Sequence, residues 1–152
     1  MQAEPQDELI RLVTHKRAVL LDRIVVAHLA RLQAQGVPRS ATLEATVRAV
    51  VDTGLDNMLG WLRESSATLS RPYFVRMVET SRASGLTDEQ TVASIDLVTA
   101  LVRQLAWEEL GGGAAYNHID RRLTSLGTVG RMMVASEATK TIVQQTRRSD
   151  PT

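Results

Sequence analysis

The chain has 152 residues, the size of one domain rather than two. It contains no cysteine, so disulfides, thiolate metal sites and cysteine nucleophiles are excluded. Its net charge of +1 argues against broad nucleic-acid binding. No apolar run approaches the roughly 18 residues of a membrane span, and the acidic first eight residues lack the apolar centre of a signal peptide. These properties predict a globular cytoplasmic protein.

Two long helices are predicted in the first half of the chain. Apolar residues at the three-to-four spacing of one helical face predict a helix from Asp7 to Gln35. A second helix is expected to begin near Ser40, a favourable N-cap, and to run to Glu64. Its two internal glycines each lower the intrinsic helix stability by about 1 kcal/mol.

A short helix is predicted next, after a loop at 65–70. Ser70 is its expected cap, and Pro72 falls in its first turn, where the missing N–H has no consequence. This helix is expected to end at Gly85.

Two more helices are predicted in the second half. Thr87 and Gln90 have the spacing of a capping box, and the apolar helix that follows reaches about Leu110. A run of three glycines then breaks the chain. The last helix is expected to begin near Tyr116 and to reach Arg147.

The fold class expected from this pattern is all-α, a bundle of about five main helices with a long C-terminal helix. Residues 7–146 form the expected domain. Residues 1–6 are predicted to be disordered, and residues 147–152 to be a tail or the start of a linker.

Motifs for catalysis are absent. The sequence has no phosphate-binding G-x-x-x-x-G-K-[ST], no G-x-S-x-G, no H-E-x-x-H and no Glu-x-x-His. His15, His28 and His118 are interpreted as surface or boundary histidines rather than ligands. The sequence therefore predicts no catalytic, cofactor-binding or metal-binding residue, and no enzymatic activity.

Two groups of residues could have a function, but a structural role is favoured for both. Asp52 and Asp56 lie one helical turn apart, but a solvated face beside Arg48 and Arg63 is favoured over a metal or acid–base pair. The three glycines before the last helix could hold an anion, yet no strand precedes them, so a flexible connector is favoured.

The segment from Ser81 to Val92 resembles a helix-turn-helix, with glycine at its turn and threonine as a cap. Thr91 occupies the place of an expected apolar residue, and the following helix is about twice the length of a recognition helix. DNA binding is therefore the weakest of the alternatives.

Several large apolar side chains could line a ligand cavity, with a plain core as the alternative for each. They are Met58, Trp61, Phe74, Met77 and Trp107, with Tyr73 and Met133 as further candidates.

The helix order and one connector carry a resemblance to a known family. The order is long, long, short, long, long, the connector spans Arg82 to Gln90, and the fourth helix ends in Trp107-Glu-Glu-Leu110. This pattern resembles the N-terminal sensory domains of RsbR-type proteins, the RsbT co-antagonists of bacterial stressosomes, over Asp7 to about Ile142.

The resemblance implies a globin-like fold without heme, a dimer, and signalling to a C-terminal STAS domain, which has no counterpart in this chain. It implies a non-enzymatic sensory domain whose partners are its own copy and other signalling-assembly proteins. A heme globin sensor is the alternative, but the short helix that stands in place of the iron-facing globin helix contains no histidine. We expect no cofactor.

A homodimer is expected on the fourth and fifth helices, because the fifth helix is apolar over more than one face. The alternative is that the same residues complete the monomer core. The expected interface residues are Ile119, Leu123, Leu126, Gly130 and Met133.

Overall fold

A computed structural model describes residues 4–64 and 66–149. Within these ranges the chain is an all-α bundle with no strand, which confirms the predicted fold class. The helices are α1 (Pro5–His15), α2 (Arg17–Ala34), α3 (Ala41–Glu64), α4 (Ala67–Ala83), α5 (Asp88–Leu110) and α6 (Ala114–Ser149).

The predicted first helix is divided at Lys16, so the expectation of one continuous helix was wrong. Lys16 leaves the helical region, with φ −99° and ψ 14°. Helix α1 packs against α3 and α6, whereas α2 packs against α3 and α5. The bend lets the two segments reach different neighbours. At the bend, Lys16 Nζ lies 2.5 Å from Glu109 on α5. The next residue, Arg17, binds Asp52 on α3.

Two predicted helix starts are confirmed. The Ser40 hydroxyl accepts a hydrogen bond from the Leu43 N–H at 3.0 Å, so Ser40 caps α3. The capping box of α5 is complete, with the Thr87 N–H donating to Gln90 Oε1 at 2.9 Å and the Gln90 N–H donating to Thr87 Oγ1 at 3.1 Å. Helix α3 is continuous through both of its glycines.

Helix α4 begins earlier than predicted. Its N-cap is Ser66, whose side chain accepts from the Leu69 N–H at 3.3 Å, and Ser70 is a buried residue inside the helix. Pro72 therefore lies in the helix interior instead of the first turn. Because proline has no N–H, α4 lacks one internal hydrogen bond immediately before Tyr73.

Helix α6 extends well past the core. Its 36 residues correspond to about 54 Å. Beyond Val134, no residue of α6 whose burial is described is buried.

The predicted domain limits were too narrow. Pro5 and Gln6 belong to α1, and residues 147–149 continue α6. Residues 1–3 and 150–152, the remainder of the predicted disordered segment and tail, lie outside the described residues.

Two adjacent aromatic residues of α4 fix its place between α3 and α6. A Cβ atom added to Gly54 on α3 would lie 2.7 Å from the Tyr73 hydroxyl. A Cβ atom added to Gly130 on α6 would lie 2.9 Å from the Phe74 ring and 3.1 Å from Ile95. Each ring thus occupies space that only a glycine leaves free.

We expect Gly130→Ala to lower the free energy of unfolding by about 1–3 kcal/mol, because the methyl group overpacks the Phe74 site. Gly127→Ala is the matched control on the same helix, since its Cβ atom would meet nothing within 4 Å. The control should gain about 1 kcal/mol from helix propensity. Urea denaturation measures both, and a Gly130→Ala protein as stable as Gly127→Ala would contradict the packing described.

Candidate functional site

A partly open cavity of about 30 Å³, which we name the interior cavity, lies between α3, α4 and α5, against one residue of α6. Its walls are mostly apolar and buried, and no charged residue lines it. The apolar wall residues with exposures of 9% or less are Val51, Met58, Phe74, Ile95, Val98 and Leu126. An uncharged apolar space favours neutral, apolar contents.

The structure places two of the five predicted pocket residues, Met58 and Phe74, in the walls of this cavity. Met77 is buried beside it and lines a neighbouring groove. Trp61 is buried between α3 and α6 and lines other grooves.

The prediction for Trp107 was wrong. Its side chain is 57% exposed and lies on the surface, far along α5 from the cavity walls. It packs edge-on against Tyr116 with ring centroids 5.0 Å apart, and it covers Gly112. Trp107 therefore packs against the glycine connector and does not line the cavity.

Tyr73, a further pocket candidate from the sequence, also lies in the cavity wall. It lines the interior cavity and two adjoining surface grooves of about 130 and 370 Å³. Its hydroxyl lies 3.4 Å from the Val50 carbonyl, which is a long contact, and 3.3 Å from the sulfur of Met77, which is a weak acceptor. Burial raises the pKa of Tyr73, and the phenol stays neutral.

Polar groups around the cavity are few. The Ser94 hydroxyl donates to the Thr91 carbonyl at 2.7 Å, and the Thr99 hydroxyl donates to the Asp96 carbonyl at 3.0 Å. Both hydroxyl protons are thus engaged within α5. Asn57 lies at the partly exposed mouth, and its side-chain amide remains the accessible donor and acceptor.

His28 is a core residue, so its interpretation as a surface or boundary histidine was wrong. It is 4% exposed, and its Nδ1 atom has no hydrogen-bond partner. The ring borders a space of about 10 Å³ together with Ser81, Thr91 and Ser94. Burial, and then the nearby charge of Arg31, lower the pKa of His28, so the folded chain holds the neutral ring.

The two aspartates of α3 form ion pairs with another helix. Arg17 on α2 lies 2.8 Å from Asp52 and 2.7 Å from Asp56. Arg48, one of the partners expected from the sequence, binds Asp22 on α2 at 2.8 Å. Both carboxylates therefore serve to hold α2 against α3.

Arg122, in the early turns of α6 after the glycine connector, contacts the end of α3. Arg122 Nη2 donates to the carbonyls of Trp61 and Leu62, at 3.1 and 2.6 Å. In return, Trp61 Nε1 donates to the Arg122 carbonyl at 3.0 Å. The guanidinium thus caps the C-terminal end of α3.

The predicted dimer face is buried within the single chain. Ile119 and Leu123 are fully buried, Leu126 and Met133 are 4% and 9% exposed, and Gly130 is covered by Phe74. The expectation that these five residues form an interface was wrong. The broad apolar face of α6 is buried in the monomer core, because α6 contacts α1, α3, α4 and α5.

The opposite face of α6 carries a second pattern, which we name the outward stripe. It runs along exposed helix surface and contains no charged residue. Its members are Ser125, Thr128, Met132, Ser136, Thr139 and Val143. Met132 is 67% exposed and Val143 is 43% exposed.

In the described ranges, no group of three or more histidine and acidic side chains is placed to hold a metal ion. No helix in the same ranges is long and apolar enough to cross a membrane. Comparisons with protein-family models, with curated proteins and with solved structures each found no match to this chain.

We expect His28 to make stability depend on pH. Below the ordinary histidine pKa of 6.5, the unfolded chain binds a proton that folded His28 does not. The free energy of unfolding should therefore fall as the pH drops below that value, by up to about 1.4 kcal/mol per pH unit.

Urea denaturation between pH 7.5 and pH 5 measures this slope in the unaltered chain and in two variants. His28→Leu should remove the contribution, whereas His15→Gln, at an exposed histidine, should keep it. An identical slope in His28→Leu would show that the acid sensitivity arises elsewhere.

Proposed function

We propose that the chain is a non-enzymatic sensory or regulatory domain of a bacterial stress-signalling protein of the stressosome type. It works in the cytoplasm as a homodimer and passes a signal to other proteins of its assembly. The resemblance to RsbR-type sensory domains, with their heme-free globin-like fold, supports the signalling role. The outward stripe of α6 is the observation that carries the dimer.

The stripe differs from an ordinary solvated helix face. Solvent-facing positions of a surface helix are normally charged or strongly polar. From Ser125 to Val143 the stripe has only small, hydroxyl-bearing or apolar side chains, over about 27 Å of helix. Such a face loses little hydration when it is covered and adds apolar contact at Met132 and Val143.

The spacing of the stripe suits a partner helix that lies alongside. Its members follow intervals of three, four, four, three and four residues, an eleven-residue repeat. At 3.67 residues per turn, this repeat stays on one side of a nearly straight α-helix. A second helix can therefore follow it along its length.

A second copy of the chain is the occupant that fits. Two identical stripes related by a two-fold axis meet without like-charge repulsion, because neither carries a charge. Two charges beside the stripe are already paired within the chain, Arg131 with Asp96 on α5 and Lys140 with Glu137.

The same helix connects the interior to the proposed interface. Gly130 faces Phe74 on the inner side of α6, and Met132 is exposed on the outer side two residues later. A displacement of the α4 aromatics would therefore press on α6 next to the stripe. This is how we propose that a change in the core reaches the dimer.

We expect Met132→Glu to convert the dimer to a monomer at tens of micromolar protein, because two carboxylates would be buried close together. Val26→Glu is the matched control, since Val26 on α2 is 65% exposed, almost the same as Met132. Light scattering coupled to size-exclusion chromatography gives the mass of each.

The control variant should remain dimeric. A monomeric unaltered chain would contradict the dimer, and so would a folded Met132→Glu protein that stays dimeric. Dissociation by Val26→Glu alone would move the interface to α2 and contradict the role of the outward stripe.

A further inference from the structure

We propose that the interior cavity is a binding site for a small, neutral, mostly apolar molecule with one hydroxyl or carbonyl group, of about the size of phenol. The side chain of Tyr73 covers this site and moves aside when the ligand binds. Only the use of this site as a signal input rests on the proposed function, since binding is measured independently of dimerisation.

The position of Tyr73 is the first observation. It is the one residue that lines the interior cavity and both adjoining grooves, so Tyr73 borders all three spaces. The lining residues of the cavity that are only partly buried are Val50, Asn57 and Tyr73. The mouth of the cavity is therefore at the ring.

The hydroxyl of Tyr73 makes only weak hydrogen bonds. It lies 3.4 Å from the Val50 carbonyl, which helix geometry already pairs with the Gly54 N–H, and 3.3 Å from a thioether sulfur. Neither contact replaces the hydrogen bonds that water would give the phenol. Pro72, immediately before it, removes one hydrogen bond from α4. Rotation into the groove of about 130 Å³ thus breaks no strong hydrogen bond, and the bound ligand would take over the packing contacts that the ring leaves.

The size of the ligand follows from the volumes. An apolar cavity of roughly 150 Å³ accepts a benzene-sized molecule. The interior cavity of about 30 Å³ is too small for one while the ring is in place. A ligand must therefore occupy the space of the Tyr73 ring itself, and a flat six-membered ring is the shape that fits.

The chemistry of the ligand follows from the lining. The absence of charged residues from the cavity wall disfavours an ion. The apolar walls, among them Met58, Ile95 and Val98, suit a hydrocarbon ring. The amide of Asn57 at the mouth is positioned to exchange a hydrogen bond with one polar group of the ligand.

Phenol is the probe, and fluorinated tyrosine is the reporter. The chain has two tyrosines, so 3-fluorotyrosine labelling gives two ¹⁹F signals, which Tyr116→Phe assigns. We expect the Tyr73 signal to shift saturably with a Kd on the order of 1 mM, a reasonable affinity for a seven-atom ligand. The signal of Tyr116 should not change.

Two blocking variants locate the site. Val98→Phe fills the cavity from α5, and Val50→Phe fills it at the partly exposed mouth, where overpacking is relieved towards solvent. Either variant that retains the helical circular dichroism of the unaltered chain should lose phenol binding. A folded blocking variant that binds phenol like the unaltered chain would overturn the location.

A pair of asparagine variants tests the polar contact. Asn57→Val should weaken phenol binding about fivefold or more and leave toluene binding unchanged, whereas the exposed Asn117→Val should change neither. Unchanged phenol affinity in Asn57→Val would overturn the assigned contact.

The proposal as a whole would be overturned if the Tyr73 signal of the folded, unaltered chain shows no saturable shift up to about 10 mM phenol, ten times the expected Kd. A monomeric chain that binds phenol would support the site and contradict the dimer. A dimeric chain that does not bind would do the reverse.

Discussion

The seating of two neighbouring aromatic rings against two glycines is the constraint on which the bundle depends. Tyr73 and Phe74 are consecutive on α4, and they point to different helices because successive helical residues are about 100° apart. Tyr73 meets Gly54 on α3, and Phe74 meets Gly130 on α6. The ring planes of the pair are 63° apart, with centroids separated by 5.1 Å. One short stretch of α4 thus sets the positions of two long helices.

The two rings are held to very different degrees. Phe74 is 1% exposed and is enclosed by Gly130 and Ile95, so it is a fixed part of the core. Tyr73 is partly exposed, borders three empty spaces and has a poorly bonded hydroxyl. Of the two rings, Tyr73 is therefore the one that we propose a ligand displaces, and Phe74 is the one in contact with α6.

The sequence predicted the helices better than it predicted their packing. The caps at Ser40 and Thr87 depend on residues within the next three positions, so they were predicted correctly. The bend at Lys16 depends on carboxylates that lie 36 or more residues away, and no local signal marks it. The start of α4 was misplaced because serine is a good cap at either position, and the structure has Ser66 as the cap and Ser70 buried inside the helix.

The candidate site could be predicted only in part, because it also depends on contacts between residues that are distant in the sequence. Large apolar residues indicate burial, and Met58 and Phe74 do lie in the cavity wall. Tyr73 was among the candidates, but its contact with Gly54, nineteen residues earlier, was not foreseen, because a glycine that makes room cannot be recognised without its partner. The interface was misassigned because a broad apolar face signals partners of any kind, and for α6 those partners belong to its own chain.

Whether Tyr73 gives its place to a ligand is tested most directly by a crystal structure of the chain grown with 4-iodophenol, whose iodine is located by anomalous scattering. We expect one iodine site between Met58, Phe74 and Val98, with the Tyr73 ring turned into the groove between α3 and α4. An unchanged Tyr73 ring, with no iodine in the interior at saturating 4-iodophenol, would contradict the displacement of Tyr73.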